Sequence, residues 1–496
     1  MNTILFIIFI LISTISFTNQ SGVILFTDVT KSNLPIQTVT GPTMDAVAGD
    51  LDNDGDPDIV LAREFAPNKI LINNGSGQFT DGTLGNLPQF NYDSEDIGIA
   101  DFNGDGFNDI VFASEDNAIH ELYFNNGNGS FSNMNNRLPS SIANAVLAED
   151  INNDSLPDII LGNAGQDLIL INNGDSTFTN ETGQRLPTES NVNQDLKLAD
   201  IDGDGDKDLV AGNEDGNKIY INNGDGIFSD ETSQRLPSSQ TEETRKVTLG
   251  DVDGDHDPDI FFANVAFIPG RTRQDRLLLN NGIGIFTDVT STNLPVDNEQ
   301  TTEGIFEDID FDNDLDLITS NIFFNRPIKI FENNGIGIFT EVTNTVLPPN
   351  TVAEGIGVFG ADLNNDGLTD LYLQNRHTAQ QTTETDRLLI RNDTGAVQIF
   401  NTENENPVRF KLHQNFPNPF NPETIIKYEL SEAGYTELKI YDIQGKLVGV
   451  LVNENQGSGE YSVKFDGSRL AGGVYYYKLS VNGGDKVMTK KLVLLK

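Results

Sequence analysis

Cysteine and tryptophan are absent from this chain, histidine occurs four times, and 31 lysines and arginines face 75 aspartates and glutamates. Without thiols there are no disulfides, no thiolate metal sites, no cysteine nucleophile and no lipid-modified N-terminal cysteine. His120, His256, His377 and His413 are too scattered to suggest a zinc cluster. The formal net charge of −44 argues against nucleic acid and anionic membrane as partners, because both select a basic face. Long apolar runs are missing too, so no stable transmembrane segment is expected. The longest, Ile4 to Ile12, is short for a bilayer span and precedes Ser13, Thr14, Ser16 and Thr18. Residues 1–18 therefore read as a signal peptide cut near Ser16 to Thr18, although no Lys or Arg stands ahead of the apolar run.

Aspartate, by contrast, is concentrated. The stretch Asp50-Leu-Asp-Asn-Asp-Gly-Asp-Pro-Asp58 sets carboxylates at alternate positions, and similar loops begin at Asp101, Asp150, Asp200, Asp251, Asp308 and Asp362, 49 to 57 residues apart. Like charges this close repel unless a cation sits among them, and calcium takes about six to eight hard oxygens from a flexible loop. The spacing predicts several structural Ca²⁺ ions. An EF-hand is a poor match, because its twelfth loop position should be Glu and that place is Leu61, inside a strand-like run.

Around each loop the same order recurs. In the first unit Ala46-Val-Ala-Gly-Asp50 precedes the loop, Ile59-Val-Leu-Ala62 follows, then Lys69-Ile-Leu-Ile72 with Asn73-Asn-Gly75, and Phe79-Thr-Asp81 closes. Four short extended runs broken by turn signals predict one small antiparallel sheet per unit. The seventh unit lacks a closing Phe, its Asn-Asn-Gly slot reads Arg391-Asn392-Asp393, and the matching strand stands at the other end, at Phe26-Thr-Asp28. An early strand that completes the last unit closes a ring without exposed sheet edges, which predicts an all-β, seven-bladed β-propeller. Kelch and WD40 repeats rely on other motifs, including Trp.

These units resemble the FG-GAP (VCBS-type) repeats of integrin α-subunit propellers and of many secreted bacterial proteins, over about residues 22–392. The resemblance implies that side chains at the first, third, fifth and ninth loop positions and the seventh carbonyl hold the ion, with the sixth residue at positive φ. Carried onto this chain, the first loop offers Asp50, Asp52, Asp54, Asp56 and Asp58, and the second Asp101, Asn103, Asp105, Phe107 and Asp109. The third offers Asp150, Asn152, Asp154, Leu156 and Asp158, and the fourth, which is complete, Asp200, Asp202, Asp204, Asp206 and Asp208. The fifth has Asp251, Asp253, Asp255, Asp257 and Asp259, and the sixth Asp308, Asp310, Asp312, Asp314 and Asp316. In the seventh the set is Asp362, Asn364, Asp366, Leu368 and Asp370. Calcium is expected in at least five loops and least in the third, where Ser155 takes the sixth place.

Seven similar sites suit a clip that ties strands together, whereas catalysis requires one distinct site with an open coordination position. A ligand is expected on the opposite face, where second strands connect to third. The distance from the ninth loop position to the Asn-Asn-Gly slot is 14 to 16 residues in the first four units but 21, 17 and 21 in the last three. Those longer connections carry Phe267, Arg271, Arg273, Phe323, Phe324, Arg326, Arg376 and His377, a sector suited to an anionic or polar ligand. The competing reading is core phenylalanines and arginines paired with nearby acids.

After Asp393 the composition shifts to Asn, Glu and Thr, making 393–409 a linker, and Asn415-Phe-Pro-Asn-Pro-Phe-Asn-Pro422 cannot be helix. Alternating runs from Thr424 to Leu495 predict an Ig-like sandwich. Residues 410–496 closely resemble the type A C-terminal sorting domain of the type IX secretion system, found in Bacteroidota. The residues carrying that likeness are Asn418 to Pro422, Tyr441-Asp442 with Gly445, Gly472-Gly-Val-Tyr475 and Lys490-Lys-Leu-Val493. The resemblance implies export by that machinery, then release or surface attachment. The whole reads as a secreted or cell-surface calcium-binding propeller that recognises an extracellular glycan or protein. The alternative is a propeller-fold extracellular polysaccharide lyase or hydrolase working from the 264–380 loops; nothing in the sequence requires catalysis.

Overall fold

The computed structural model describes residues 24–392 and 411–494, except 117, 239–241, 297, 323–327, 349–350, 352–354, 376–384, 413–414, 416–417, 419, 421, 431–432, 443–445, 458, 468–469 and 483–485. Two compact units, 1–397 and 398–496, make up the chain. The expected signal peptide and linker lie outside the described residues.

The first unit is a series of seven four-stranded antiparallel sheets. In the first, the strands Thr43–Gly49, Asp58–Arg63, Lys69–Asn73 and Phe79–Asp81 lie side by side in chain order. The second strand of every sheet is buried along its whole length, which is why Ile59-Val-Leu-Ala62 reads as a continuous apolar run rather than an alternating one. The seventh sheet takes its outer strand from the start of the unit: Phe26 pairs with Arg391 and Asp28 with Leu389. First strands pack against one another in order, and Gly355–Ala361 of the seventh sheet packs against Thr43–Gly49 of the first. An apolar core fills each interval between neighbours. Ile59, Leu71, Tyr372 and Leu388 share one between the first and seventh sheets, and Val60, Ile70, Ile110 and Phe112 share the next.

Each first strand carries a β-bulge near its start, between Thr43 and Asp45 in the first sheet. Bulges re-aim side chains at sheet rims and next to sites. A helical turn follows most fourth strands, as at Thr232–Arg235. The sequence signal for it is Asp-x-Thr: Asp230 accepts the Thr232 N–H at 3.0 Å, and the Thr232 hydroxyl oxygen accepts the Ile219 N–H at 3.0 Å.

The second unit has two antiparallel sheets. One holds Lys411–Leu412, Glu423–Leu430 and Gly459–Asp466; the other orders Leu447–Gln456, Gly434–Asp442, Gly473–Val481 and Lys486–Leu494. Phe420, Ile426, Leu438, Tyr477 and Leu492 belong to its single core. The Tyr477 hydroxyl accepts the Asn415 N–H at 2.8 Å, and the Asn418 side-chain oxygen accepts the Val493 N–H at 2.8 Å, so the proline-spaced opening is held against the closing strand.

Candidate functional site

Every acidic loop joins a first strand to a second and folds around its own first aspartate. In the first loop Asp50 accepts the N–H groups of Asn53 (2.7 Å) and Gly55 (3.1 Å), while Asp54 accepts that of Asp56 (3.0 Å). The same bonds hold Gly203 and Gly205 to Asp200, Gly254 and His256 to Asp251, and Phe311 and Asn313 to Asp308. The sixth position is left-handed throughout, as expected: Gly55 has φ 91°, Ser155 70°, His256 75° and Asn313 75°. The third loop thus keeps the shared backbone despite its serine. The fourth position is left-handed as well, which the sequence reading missed; Asn53, Asn153 and Asn365 are frequent there because Asn tolerates that geometry.

The ninth aspartate ties each loop to its sheet. Asp58 is fully buried; one oxygen accepts the Leu51 N–H (2.9 Å) and the other the Asn73 N–H (2.8 Å), tying the loop to the third strand. The equivalent pair recurs in all seven sheets, ending with Asp370 between Leu363 and Arg391. Burial pushes these carboxyls up, to about 7 for Asp58, Asp109, Asp208, Asp259, Asp316 and Asp370 and to about 6 for Asp158, against the pull of the two N–H groups.

The donor set fits a hard cation. Asp50, Asp52 and Asp58 bring carboxylate oxygens within 4.8 Å of one another, as do Asp200, Asp202 and Asp208, Asp251, Asp253 and Asp255, and Asp308, Asp310 and Asp316. Asp52 Oδ1 and Asp202 Oδ1 are buried with no hydrogen-bond partner, which leaves an oxygen in each loop for an ion. The other Asp202 oxygen meets Arg235 at 3.0 Å. All the donors are oxygen, which suits calcium rather than a softer metal. In the second, third and seventh loops the third position is Asn103, Asn152 or Asn364, an oxygen without charge.

Asparagines lace neighbouring loops together. The side-chain amide of Asn125 donates to Leu51 carbonyl at 2.8 Å and that of Asn280 to Ile201 carbonyl at 2.8 Å. In the seventh sheet Arg391 does the same for Ile309, its guanidinium 4.4 Å from the Phe311 ring centroid and 5.8 Å from that of Phe26. The slot that looks degenerate in sequence keeps its task with different chemistry.

The other ends of the first strands meet in a cavity of about 240 Å³ with lining residues from all seven sheets, among them Met44, Glu95, Asn144, Gln194, Thr302 and Ile356. Phe267 stands on its rim, 43 % exposed, with Arg245 5.0 Å from its ring centroid. Arg245 also bonds Gln194 (2.6 Å), Glu243 (3.2 Å) and Glu214 (3.4 Å). Of the other expected ligand residues, Arg273 donates to the Asn298 carbonyl at 3.4 Å and is not among the residues lining the cavity, while burial raises the Glu214 carboxyl against the pull of Arg245 and, further down, Arg271. Phe323, Phe324, Arg326, Arg376 and His377 lie outside the described residues. His120 is buried and structural: Nδ1 accepts the Ser114 N–H at 3.1 Å, Nε2 meets the Ser141 hydroxyl at 2.8 Å, and burial lowers its pKa to about 4.

Four-stranded sheets repeat around self-folding acidic loops, and an FG-GAP-like repeat model matches residues 50–112, 101–160, 150–211 and 200–262. The chain thus carries FG-GAP-like repeats over residues 50–262 and, over residues 414–495, a secretion system C-terminal sorting domain. It is therefore exported by the type IX system, to the cell surface or beyond. No helix among the described residues is long and apolar enough to cross a membrane. No curated protein matches the chain. Solved structures similar to it include an Agrocybe aegerita lectin that recognises non-reducing terminal N-acetylglucosamine, at 19 % identity over 62 % of this chain and 81 % of that one, TM-score 0.37. Another is PorZ, a surface component of the Porphyromonas gingivalis type IX system, at 14 % identity over 88 % and 58 %, TM-score 0.43. A third is the V. cholerae biofilm matrix protein Bap1, at 12 % identity over 95 % and 65 %, TM-score 0.27. None of the three reaches a TM-score of 0.5, too distant a likeness to transfer a ligand.

Proposed function

We propose that the first unit is a seven-bladed propeller whose acidic loops hold calcium as structural clips, freeing the opposite face to bind an extracellular glycan or protein. The cyclic packing of the first strands supports the blade count, and the Phe26–Asp28 strand in the seventh sheet supports closure. Calcium would be held by carboxylates such as Asp50, Asp52 and Asp54, with Asp58 buried behind them; when bound it neutralises charge that otherwise repels within each loop. The second unit, on this reading, is an Ig-like sandwich that directs export and is then removed or used for attachment.

The observation that carries the binding role is the segregation of the two faces. One is occupied by loops that fold on themselves, and the other gathers seven strand ends around a cavity rimmed by Phe267 and Arg245. Pockets that combine apolar walls with a few convergent polar groups are the usual small-ligand sites. An array of glycans and matrix proteins probed with the intact chain in calcium tests this. Saturable binding that Phe267→Ala weakens is the expected result; a blank array contradicts it, and shortening of an arrayed polysaccharide would point to an enzyme instead.

A further inference from the structure

One position recurs in all seven sheets with a single change of chemistry. In six of them the residue closing the third strand is Asn, and its amide donates to the carbonyl of the second residue in the neighbouring acidic loop, as from Asn333 to Val252 at 2.8 Å and from Asn222 to Ile151 at 3.2 Å. In the seventh sheet the donor, to Ile309, is Arg391, so the sixth loop alone receives a positive charge from this position. Arg391 is 1 % exposed, and its Nε and Nη1 are buried without a hydrogen-bond partner. A guanidinium keeps its charge in a protein interior. Asp308, Asp310 and Asp316 of the loop, with Glu307 just before it, favour that charge.

The sixth loop is also covered differently. In four loops a glycine from the next sheet's turn presses on the third-position side chain: a Cβ at Gly129 would lie 3.4 Å from that of Asp52, and one at Gly226, Gly284 or Gly77 would lie 3.2 Å from that of Asn152, Asp202 or Asn364. Among the described residues the sixth loop has no such turn beside it, because the seventh sheet's third strand ends at Arg391 and its outer strand, Phe26–Asp28, comes from the start of the unit. Asp310 is exposed, whereas the third-position side chains of the other six loops are half-buried. Phe311 follows at φ 63°, a left-handed place that the other loops give to Asn or Gly, and its ring centroid lies 4.4 Å from the guanidinium. A bulky residue at this place covers Arg391 where the turn is missing.

We propose that the sixth loop is tied without calcium: the Arg391 guanidinium, bonded to Ile309 and covered by Phe311, supplies the positive charge that an ion supplies in the other loops. This rests on the reading of the acidic loops as calcium clips. Asp308, Asp310 and Asp316 come within 4.8 Å of one another, so shape alone admits an ion. A divalent ion placed there meets a buried cation beside it, where like charges repel more strongly than in water, and its third carboxylate stands open to solvent. Arg235 acts differently on the fourth loop. It pairs with one oxygen of Asp202 and leaves the other buried without a partner, so that loop keeps a donor for an ion. The seventh sheet, completed by the early strand, is thus fastened to the sixth loop by an arginine and stays fastened when calcium is withdrawn.

Calcium uptake by the intact chain, counted by equilibrium dialysis at about 1 mM free calcium, tests this in the parent, in Arg391→Asn, which restores the residue of the other six sheets, and in Arg391→Lys, which keeps the charge. Arg391→Asn should bind one ion more than the parent, and Arg391→Lys the same number as the parent. Anomalous scattering from calcium in crystals of the parent locates the ions without any substitution; it should place them in other acidic loops and none between Asp308 and Asp316. Should Arg391→Asn fail to fold, the scattering experiment decides alone. An ion in the sixth loop of the parent, an equal count in Arg391→Asn and the parent, or the same gain in Arg391→Lys would overturn this inference and leave the calcium clips standing. No uptake by any of the three proteins removes the clips and this inference with them.

Discussion

The side-chain amide of Asn73 donates to the carbonyl of Leu363 at 2.8 Å, joining the first sheet to the seventh across 290 positions of sequence. The same amide donates to Pro57 carbonyl at 3.0 Å, so one buried side chain ties the end of its own acidic loop to the neighbouring one. Asn73→Ala leaves buried acceptors without a donor and should lower stability by about 1–3 kcal/mol. Asn74→Ala, one residue on in the exposed turn, should stay within about 0.5 kcal/mol. Paired urea melts of the two variants measure the difference, and equal midpoints would contradict the tie.

Phe26 is 1 % exposed and packs in the core shared by the sixth and seventh sheets with Ile318, Leu371 and Leu389. Phe26→Ala should cost about 3–5 kcal/mol and let protease into the seventh sheet first. Limited proteolysis that cuts elsewhere, or a melting temperature near the parent's, would show that the early strand is dispensable.

Much of this architecture was legible because the repeat states it seven times. Loop starts, apolar second strands, Asn-Asn-Gly turns and the displaced Phe26 strand each carry a local signal that survives averaging over units. What was not legible depends on contacts between units. Arg391 looked like a lost Asn until Phe311 and Ile309, from another sheet, were placed beside it. The first-strand charges Asp45, Asp96, Lys246 and Glu303 come from positions 51 to 258 residues apart, and no short-range pattern marks them. The ligand sector was expected from connection length and from the basic and aromatic residues gathered there; Phe267 lines the cavity, and Arg273 bonds the Asn298 carbonyl.

Stability should depend on pH through Asp45 and Glu303, acids on the first strands of the first and sixth sheets. Asp45 and Glu303 have folded values, about 7 and about 8, above their ordinary 3.8 and 4.5. For an acid raised on folding the native state favours the protonated form, so this stabilisation is full below about pH 4 and is lost as pH rises to about 8. The calcium-free parent should therefore lose more melting temperature between pH 5 and pH 8 (about three units of pH) than Asp45→Asn, Glu303→Gln does. The ninth-position aspartates shift in the same direction in both proteins and cancel in the comparison. Parallel curves would contradict the assignment.

Single-loop variants separate calcium clips from mere acidic turns. Asp202→Ala removes the orphaned oxygen and the Arg235 ion pair of the fourth loop, so it should lower the melting temperature in calcium. Asp202→Asn, which keeps one neutral oxygen as in the second, third and seventh loops, should fall between. A series with no graded effect on calcium affinity would place the ions elsewhere.

The most direct measurement is calcium titration of the chelator-treated chain, followed by calorimetry and melting in parallel. Saturable uptake of several ions is expected, with at least five loops filled. Each site bound at about a hundredfold excess over its Kd should add about 2.7 kcal/mol, raising the melting temperature well above that in chelator. No heat of binding together with an unchanged melt would contradict calcium clips as the basis of this fold.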